Sequence, residues 1–178
     1  MSHIQQMNFV QRVKGTFPQN FTDVSVLEVG SLFINGTVKE FFTNCNYVGI
    51  DLDSGPNVDL VVGGHEYDAP ENSFNTIISC ECFEHNPFWV QTFANMIRMC
   101  KSNGLIIVTC ATTGRAEHGT TRTTPRDSPF TVAKGWEYYN NLTEEDFNKN
   151  FNIPALFREY AFSINNTSFD LYFWGIKV

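Results

Sequence analysis

Short apolar segments alternate with amphipathic segments over the first two thirds of the chain. Runs rich in β-branched and other apolar residues predict five strands, at 24–31, 47–53, 57–62, 73–80 and 103–111. Two intervening segments, 37–45 and 86–101, carry apolar residues at the three- and four-residue spacing of amphipathic helices. This alternation of strands and helices predicts an α/β fold built on a mostly parallel sheet.

The last third of the chain follows a different pattern. Residues 112–129 are rich in Thr, Arg, Gly and Pro without apolar periodicity, which predicts a long loop. Thr143 and the acidic residues after it predict the start of a helix. Two strand-like segments joined at 165–168 then predict an antiparallel hairpin. We expect a single domain over 1–178, with a loop on the substrate side at about 112–141.

Composition and charge narrow the possible partners. The 178 residues are 42% hydrophobic, enough for one sizeable core. A formal net charge of −7 disfavours duplex nucleic acid, because affinity for a phosphate backbone rests on Lys and Arg. No segment reads as a signal peptide or a membrane span, and the five cysteines are odd in number. We therefore expect a cytoplasmic protein with reduced thiols and no membrane partner.

The turn after the first predicted strand is the best candidate for a ligand site. In "LEVGSLFING", Glu28 stands two residues before Gly30, and the strand "VGIDLD" brings Asp51 about 20 residues later. Glycine turns at the carboxyl ends of parallel strands expose backbone N–H groups to ligands. The turn lacks G-x-G-x-x-G, so it argues against a nicotinamide-dependent oxidoreductase.

These two motifs resemble the first two motifs of the class I S-adenosylmethionine-dependent methyltransferases. "APENSFNTIISCECFEHNPF" and "CKSNGLIIVT" are similar to later segments of that family, and the terminal hairpin resembles its reversed last strand. The resemblance implies a Rossmann-like, doubly wound sheet. It also implies S-adenosyl-L-methionine as cofactor, S-adenosyl-L-homocysteine as product, and a small-molecule acceptor.

The resemblance also implies roles for individual residues. Gly30 would allow the backbone to approach the methionine part of the cofactor, Asp51 would accept from the ribose hydroxyls, and Glu28 would hold the glycine loop or meet the cofactor's ammonium group. "GGHEY" occupies the stretch that contacts adenine, without the family's common Asp. The residues predicted to contact the cofactor are Glu28, Gly30, Ser31, Asp51, Leu52, Gly64, His65, Glu66 and Cys80.

The segment 79–89, "SCECFEHNPFW", admits four interpretations. A zinc site from Cys80, Cys82 and His85 lacks a fourth ligand and the usual spacing, so we expect no metal. A cysteine nucleophile has no sign of an activated thiol. The step 86–89, Asn-Pro-Phe-Trp, resembles the acceptor clamp of amino-methyltransferases, but it lies about one helical turn too late and Pro87 fits a helix start.

The fourth interpretation places this segment at the edge of the sheet where the methyl group is transferred. Glu81, Glu84 and His85 would then face the donor. His85 is the candidate general base, because its intrinsic pKa suits the task, and Glu81 is the competing candidate. A histidine that only caps the following helix is the alternative.

The long loop carries the candidate substrate-binding residues Arg115, His118 and Arg122. Clustered guanidinium groups in an acidic protein suggest an anionic acceptor, and a solvated surface loop is the alternative. The sequence also leaves open a non-catalytic cofactor-binding protein. Neither the acceptor nor the oligomeric state follows from the sequence.

Overall fold

A computed structural model describes residues 2–178 and contains one seven-stranded sheet. The strands are β1 (Ser25–Val29), β2 (Asn46–Asp51), β3 (Leu60–Val61), β4 (Phe74–Cys80), β5 (Cys100–Ala111), β6 (Phe157–Asn165) and β7 (Asp170–Lys177). The helices are α1 (Ile4–Thr16), α2 (Trp89–Met99), α3 (Pro129–Ala133), α4 (Glu144–Asn150) and α5 (Ile153–Leu156). Short 3₁₀ turns lie at Pro18–Asn20, Val38–Phe41, Phe83–His85 and Pro125–Asp127.

The sheet has the strand order β3-β2-β1-β4-β5-β7-β6. The first five strands in this order pair in parallel, and β7 runs antiparallel to both of its neighbours, β5 and β6. The predicted fold class, a mostly parallel sheet with a reversed C-terminal strand, is confirmed. After β1 the chain continues to β2 on one side of the sheet, and after β4 it continues to β5 on the other side. The loops at these two carboxyl ends therefore diverge, and a crevice opens between them.

The two faces of the sheet carry separate apolar cores. One face packs against α2, α4 and α5, and its centre is a group of buried phenylalanines: Phe83, Phe93, Phe147, Phe157 and Phe173. The other face packs against α1, through Phe9, Val10 and Val13. Side chains alternate between the faces, so that on β1 Leu27 and Val29 point to one core and Val26 to the other.

The predicted helix over 37–45 is wrong. Only Val38–Phe41 turns, as a 3₁₀ helix capped by Thr37, and the chain is extended again at Phe42. Asn44 is left-handed, and Thr43 exchanges backbone hydrogen bonds with the segment around Phe21. Phe42 packs on Phe21 with ring centroids 4.7 Å apart. The apolar residues that the helical spacing had placed on one helix face are therefore used in these tertiary contacts.

Other elements and boundaries also differ from the sequence prediction. Helix α1 was not predicted, although Phe9, Val10 and Val13 are spaced to share one helix face. Strand β5 begins at Cys100, directly after α2, rather than at residue 103. In the described part of the chain, no helix has both the length and the apolar character that crossing a membrane would require.

Phe173 tests the phenylalanine core. Its side chain is 1% exposed and its ring centroid lies 4.7 Å from that of Phe162 and 5.2 Å from that of Phe157. We expect Phe173→Ala to lower the free energy of unfolding by about 3–5 kcal/mol, through lost contacts and the cavity left behind. Urea denaturation measures this. Phe33→Ala, at a ring that is 46% exposed, should change the value by less than about 0.5 kcal/mol.

Candidate active site

A cleft of about 940 Å³, part of it open to solvent, lies at the carboxyl ends of β1, β2 and β4. Seven of the nine residues predicted to contact a cofactor line it: Glu28, Gly30, Asp51, Leu52, Gly64, His65 and Cys80. The two candidate bases, Glu81 and His85, line it as well. The structure therefore brings most of the predicted site into one place. Ser31 and Glu66 do not line the cleft.

Gly30 forms the turn that shapes the floor of the cleft. Its φ is +79°, and a Cβ at this position would lie 2.8 Å from both Cβ and Sγ of Cys82. The amides of Gly30 and Ser31 both donate to the carbonyl of Ile50, which ties the turn to the end of β2. Ser31 is buried and packs toward Gly49 rather than toward the cleft. Only glycine meets both requirements at position 30.

Asp51 is fixed at the end of β2 by backbone amides. One carboxylate oxygen accepts from the amide of Leu32 at 2.9 Å and the other accepts from the amide of Leu52 at 2.7 Å. Burial raises the pKa of Asp51, and these two hydrogen bonds oppose that shift. Each oxygen keeps a further lone pair, so the carboxylate can still accept from two neighbouring hydroxyl groups.

Glu28 is a buried carboxyl on β1. Its Oε2 accepts from the hydroxyl of Tyr47 and from the side-chain amide of Asn57, each at 2.9 Å. Burial raises the pKa of Glu28 to about 7, against the effect of these two donors. The same Asn57 amide donates to the carbonyl of Ser31, so Glu28 supports the loop after β1 through Asn57.

Aromatic side chains flank one side of the cleft. His65 stacks on Phe88, with ring centroids 4.3 Å apart, and Trp136 contacts Phe88 at 5.5 Å. Phe130 of α3 lines the cleft and lies near Gly55 in the loop after β2, as does Leu32 from the loop after β1. A flat heterocycle can lie against His65 and Trp136, both of which line the cleft.

The part of the cleft that follows β4 carries carboxylates. Glu81 follows β4 with a positive φ of 53°, and its Oε1 accepts from the Thr109 hydroxyl at 2.9 Å. A non-glycine residue in this conformation is held there by its surroundings and is common at functional sites. His3 Nε2 lies 3.5 Å from Glu81 Oε2 and 3.2 Å from Asp170 Oδ2. The start of the chain thus contacts the predicted methyl-transfer end.

Next to Glu81, Glu84 and His85 are both buried. His85 Nε2 lies 4.0 Å from Glu84 Oε1, and the His85 ring lies 4.9 Å from that of His118 and 5.5 Å from that of Tyr139. Burial and the nearby His118 lower the pKa of His85 to about 3, so its ring is neutral at pH 7. Burial raises the pKa of Glu84, and the charge of Glu81 adds to the shift.

The loop arginines are engaged within the protein. Arg115 donates to the buried Asp170 at 3.0 Å and to the carbonyl of Ser168. Arg122 forms ion pairs with Glu117 at 2.9 Å and with Glu137 at 3.1 Å, and it does not line the cleft. Arg115 and His118 line a second, shallower cavity, which shares Ser2 and Asp127 with the cleft.

The remaining polar residues of the segment 79–89 have structural roles or are buried. Asn86 donates to the Thr92 hydroxyl at 2.9 Å and accepts from the Phe88 amide at 2.8 Å, so both ends of its amide serve the start of α2. Burial raises the thiol pKa of Cys80 and of Cys82. Among the described residues, neither thiol belongs to a group of potential metal ligands.

Several residues of the site were not predicted. Ser2 and Gln6 of the N-terminal segment line the cleft, as do Phe130 and Trp136 from the long loop. Their contacts span large separations along the chain, so no local spacing reveals them. The position of Trp136 in a loop expected on the substrate side was the one available signal.

Comparisons with known proteins agree with this geometry. Residues 27–108 match the family model described as a methyltransferase domain, which covers β1 to β5. No curated protein matches the chain by sequence.

Solved structures with the same fold have low sequence identity. The YcgJ protein from Bacillus subtilis is 11% identical, with a TM-score of 0.66 over 98% of this chain and 99% of that one. The 1,6-didemethyltoxoflavin-N1-methyltransferase from Burkholderia thailandensis is 11% identical, with a TM-score of 0.61 over 100% of this chain and 92% of that one. Phosphoethanolamine N-methyltransferase 2 from Haemonchus contortus is 13% identical, with a TM-score of 0.59 over 93% of this chain and 52% of that one.

The family model and the solved structures point the same way. Residues 27–108 are similar to the methyltransferase domain family, and the chain as a whole shares its fold with solved methyltransferases. The resemblance inferred from the sequence motifs is confirmed, together with the fold that it implied.

Replacing Gly30 tests the turn. We expect Gly30→Ala to lower the free energy of unfolding by at least about 1 kcal/mol, because the left-handed conformation and the contact with Cys82 both oppose a Cβ. It should also weaken binding of S-adenosylhomocysteine. Urea denaturation and calorimetry measure the two effects. Gly15→Ala in α1, where a Cβ meets nothing within 4 Å, should be neutral or stabilising, and equal effects at both glycines would contradict the interpretation.

The contacts of His3 predict a pH dependence of stability. Burial alone would lower its pKa, but Asp170 and Glu81 raise the pKa to about 9 from 6.5. The Gln6 amide, 3.4 Å from Nδ1, suits a neutral ring, whereas Gln5 Oε1 at 3.1 Å and the two carboxylates suit a protonated one. Because the pKa of His3 is raised, its contribution to the free energy of unfolding is complete below pH 6.5. This contribution is lost as the pH rises to 9.

The measurement is urea denaturation across that pH window. His3→Gln should be less stable than the parent at the acidic end and should match it more closely at the alkaline end. If the difference between the two proteins stays constant from pH 6.5 to pH 9, the ion-pair interpretation fails.

Proposed function

We propose that this protein transfers the methyl group of S-adenosylmethionine to a small acceptor. The observation that carries the proposal is the cleft in which the Gly30 turn and the Asp51 carboxylate face the same space, at the switch between β1 and β4. Ligands of open α/β sheets bind at such a switch.

The residues present fit the cofactor in each of its parts. Asp51 keeps free lone pairs for the two ribose hydroxyls, and the Gly30 turn exposes backbone to the methionine part without a Cβ in the way. His65 and Trp136 offer flat surfaces for adenine. Glu28 lies on the strand that leads to the turn and can accept from the ammonium group or hold the loop.

The cofactor supplies an electrophilic methyl group on a sulfonium. Transfer to an acceptor is an in-line displacement, in which much of the rate comes from holding donor and acceptor in position. Glu81 and His85 line the cleft just after the carboxyl end of β4, and we assign the acceptor to that part of the cleft. The second cavity, beside His118, adjoins it through Ser2 and Asp127.

The two candidate bases differ in their surroundings. His85 is neutral at pH 7 and can accept a proton, but a pKa of about 3 makes it a weak base. Glu81 Oε2 faces the ring of His3, and that ring can carry a positive charge next to the carboxylate. We therefore favour Glu81 over His85 as the group that takes a proton from the acceptor.

Two finer expectations receive less support. The guanidinium groups of Arg115 and Arg122 are ion-paired, so their contacts do not favour an anionic acceptor. The Asn86 amide is engaged in the start of α2, so it is not free to grip an acceptor nitrogen. The proposal is therefore a small acceptor without a stated charge.

Asp51→Asn tests the cofactor site. The substitution removes the negative charge and one acceptor oxygen, while the volume of the side chain is kept. We expect S-adenosylhomocysteine to bind about 10- to 100-fold more weakly, as for a lost hydrogen bond to a charged group. Isothermal titration calorimetry measures the dissociation constant.

Asp53→Asn is the matched control. Asp53 is exposed in the same loop and accepts only from the Ser54 amide. Its substitution should leave the dissociation constant within about twofold. A parent protein that does not bind S-adenosylhomocysteine at near-millimolar concentration would overturn the proposal.

A further inference from the structure

Two groups of potential metal ligands lie at the acceptor end of the cleft. One consists of Glu84, His85 and His118, and the other of His3, Glu81 and Asp170. In each group, one ligand atom from every residue lies within 4.8 Å of the others. The two groups differ in whether their polar atoms already have partners within the protein.

In the described structure, the group around Asp170 leaves His3 Nε2 and Glu81 Oε2 without a hydrogen-bond partner, but these atoms lie within ion-pair distance of opposite charges. Asp170 accepts from Arg115, Ser168 and Tyr172, and His3 lies between Asp170 and Glu81. Positive charge from His3 and Arg115 already faces these carboxylates. A bound cation would therefore add little electrostatic stabilisation to this group.

The group around Glu84 lacks such partners. Glu84 is 0% exposed and His85 is 2% exposed. Both carboxylate oxygens of Glu84 and both ring nitrogens of His85 are buried without a hydrogen-bond partner in the described structure. Burial of such polar groups costs free energy unless a hydrogen-bond partner or a bound ion satisfies them. An electron-pair acceptor placed between them would satisfy both residues.

His118 is oriented as a metal-binding histidine usually is. Its Nδ1 lies 3.1 Å from the carbonyl of Ala116, which fits an N–H donating to that oxygen and leaves Nε2 with a free lone pair. Gly119, with a φ of +64°, allows the loop to approach His85 closely, since a Cβ there would lie 2.6 Å from the His85 ring. The loop therefore brings its histidine to the other two residues.

We propose that Glu84, His85 and His118 form a binding site for a divalent transition-metal cation. Two imidazoles and one carboxylate are a ligand set that suits Zn²⁺, Fe²⁺, Co²⁺ or Mn²⁺ better than the harder Mg²⁺ and Ca²⁺. Ligand distances of about 2.0–2.2 Å require the three atoms to be roughly 3–4 Å apart, which small side-chain rotations achieve from the present spacing.

The site lies between the two cavities, because His85 lines the cleft and His118 lines the second cavity. Three protein ligands leave at least one coordination position open. On the proposed function, from which this step follows, an oxygen of the acceptor takes the open position and is held beside the donor methyl group. The cation lowers the pKa of that oxygen, so an alcohol or phenol is the favoured class of acceptor.

Metal binding is tested on the full chain without cofactor. After treatment with a chelator, the protein is titrated with Zn²⁺ in a calorimeter and with Co²⁺ by visible absorption, which reports on the ligand geometry. We expect one Zn²⁺ per chain and a Co²⁺ spectrum typical of low coordination number. His118→Ala and Glu84→Gln should each weaken Zn²⁺ binding by at least about 10-fold.

The other histidines of the chain provide the matched controls. His3→Gln removes a histidine of the second group, and His65→Gln removes one that lies with the aromatic residues of the cleft. Both should bind Zn²⁺ as the parent does. Absence of Zn²⁺ and Co²⁺ binding, equal binding by all four variants, or loss in His3→Gln alone would each overturn the site. His118 is half-buried on a loop, so its variant is expected to fold.

Calorimetry with S-adenosylhomocysteine separates this inference from the proposed function. The variants His118→Ala and Glu84→Gln should keep the parent's affinity for that ligand. If the parent binds Zn²⁺ through these residues but not S-adenosylhomocysteine, the metal site stands and the proposed function fails. If the opposite holds, the metal site fails and the proposed function stands.

Discussion

The position of β1 between β2 and β4 is the constraint on which the site depends. Both neighbours run parallel to β1, and the chain leaves their carboxyl ends in opposite directions. The crevice between the diverging loops is therefore a product of backbone pairing. Gly30 keeps this crevice open, because its left-handed turn holds the loop against Cys82 and ties it to Ile50.

The buried polar residues around the crevice are supported by the same frame. Glu28 and Asp51 stand on β1 and β2; Glu28 is held by Tyr47 of β2 and by Asn57 of the following loop, and Asp51 by loop amides. At the other end, Glu81 is turned toward Thr109 of β5 by a backbone conformation that its surroundings maintain. Strand geometry thus positions carboxylates that would otherwise be costly to bury.

Local pattern and long-range contact explain what the sequence could and could not predict. The strands and α4 followed from apolar runs and from the capping box of Thr143 with Asp146, which depend on neighbours in the chain. The helix expected at 37–45 failed because Phe42 and Thr43 pair with a segment about 20 residues earlier. Glu28, Gly30 and Asp51 were found because they stand at a strand end or strand turn and the motifs around them resemble those of a known family.

The acceptor end could not be predicted in the same way. The ion pair of Arg115 with Asp170 joins residues 55 positions apart, and no spacing indicates that the guanidinium is engaged. His118 meets His85 although α2 and β5 lie between them in the chain, so only the fold brings the two rings together. The sequence analysis weighed Cys80, Cys82 and His85 as zinc ligands and expected no metal, whereas the proposed site depends on His118, which no spacing within 79–89 indicates.

The segment that carries Phe130 contributes to the walls of both cavities. Phe130 lines the cleft near Gly55, while Asp127, three residues earlier, lines both cavities. Any movement of this segment would therefore change the shape of both cavities together. On the proposed function, exchange of spent cofactor and release of methylated product would then share one conformational step, and the rate of that step would set an upper limit on turnover.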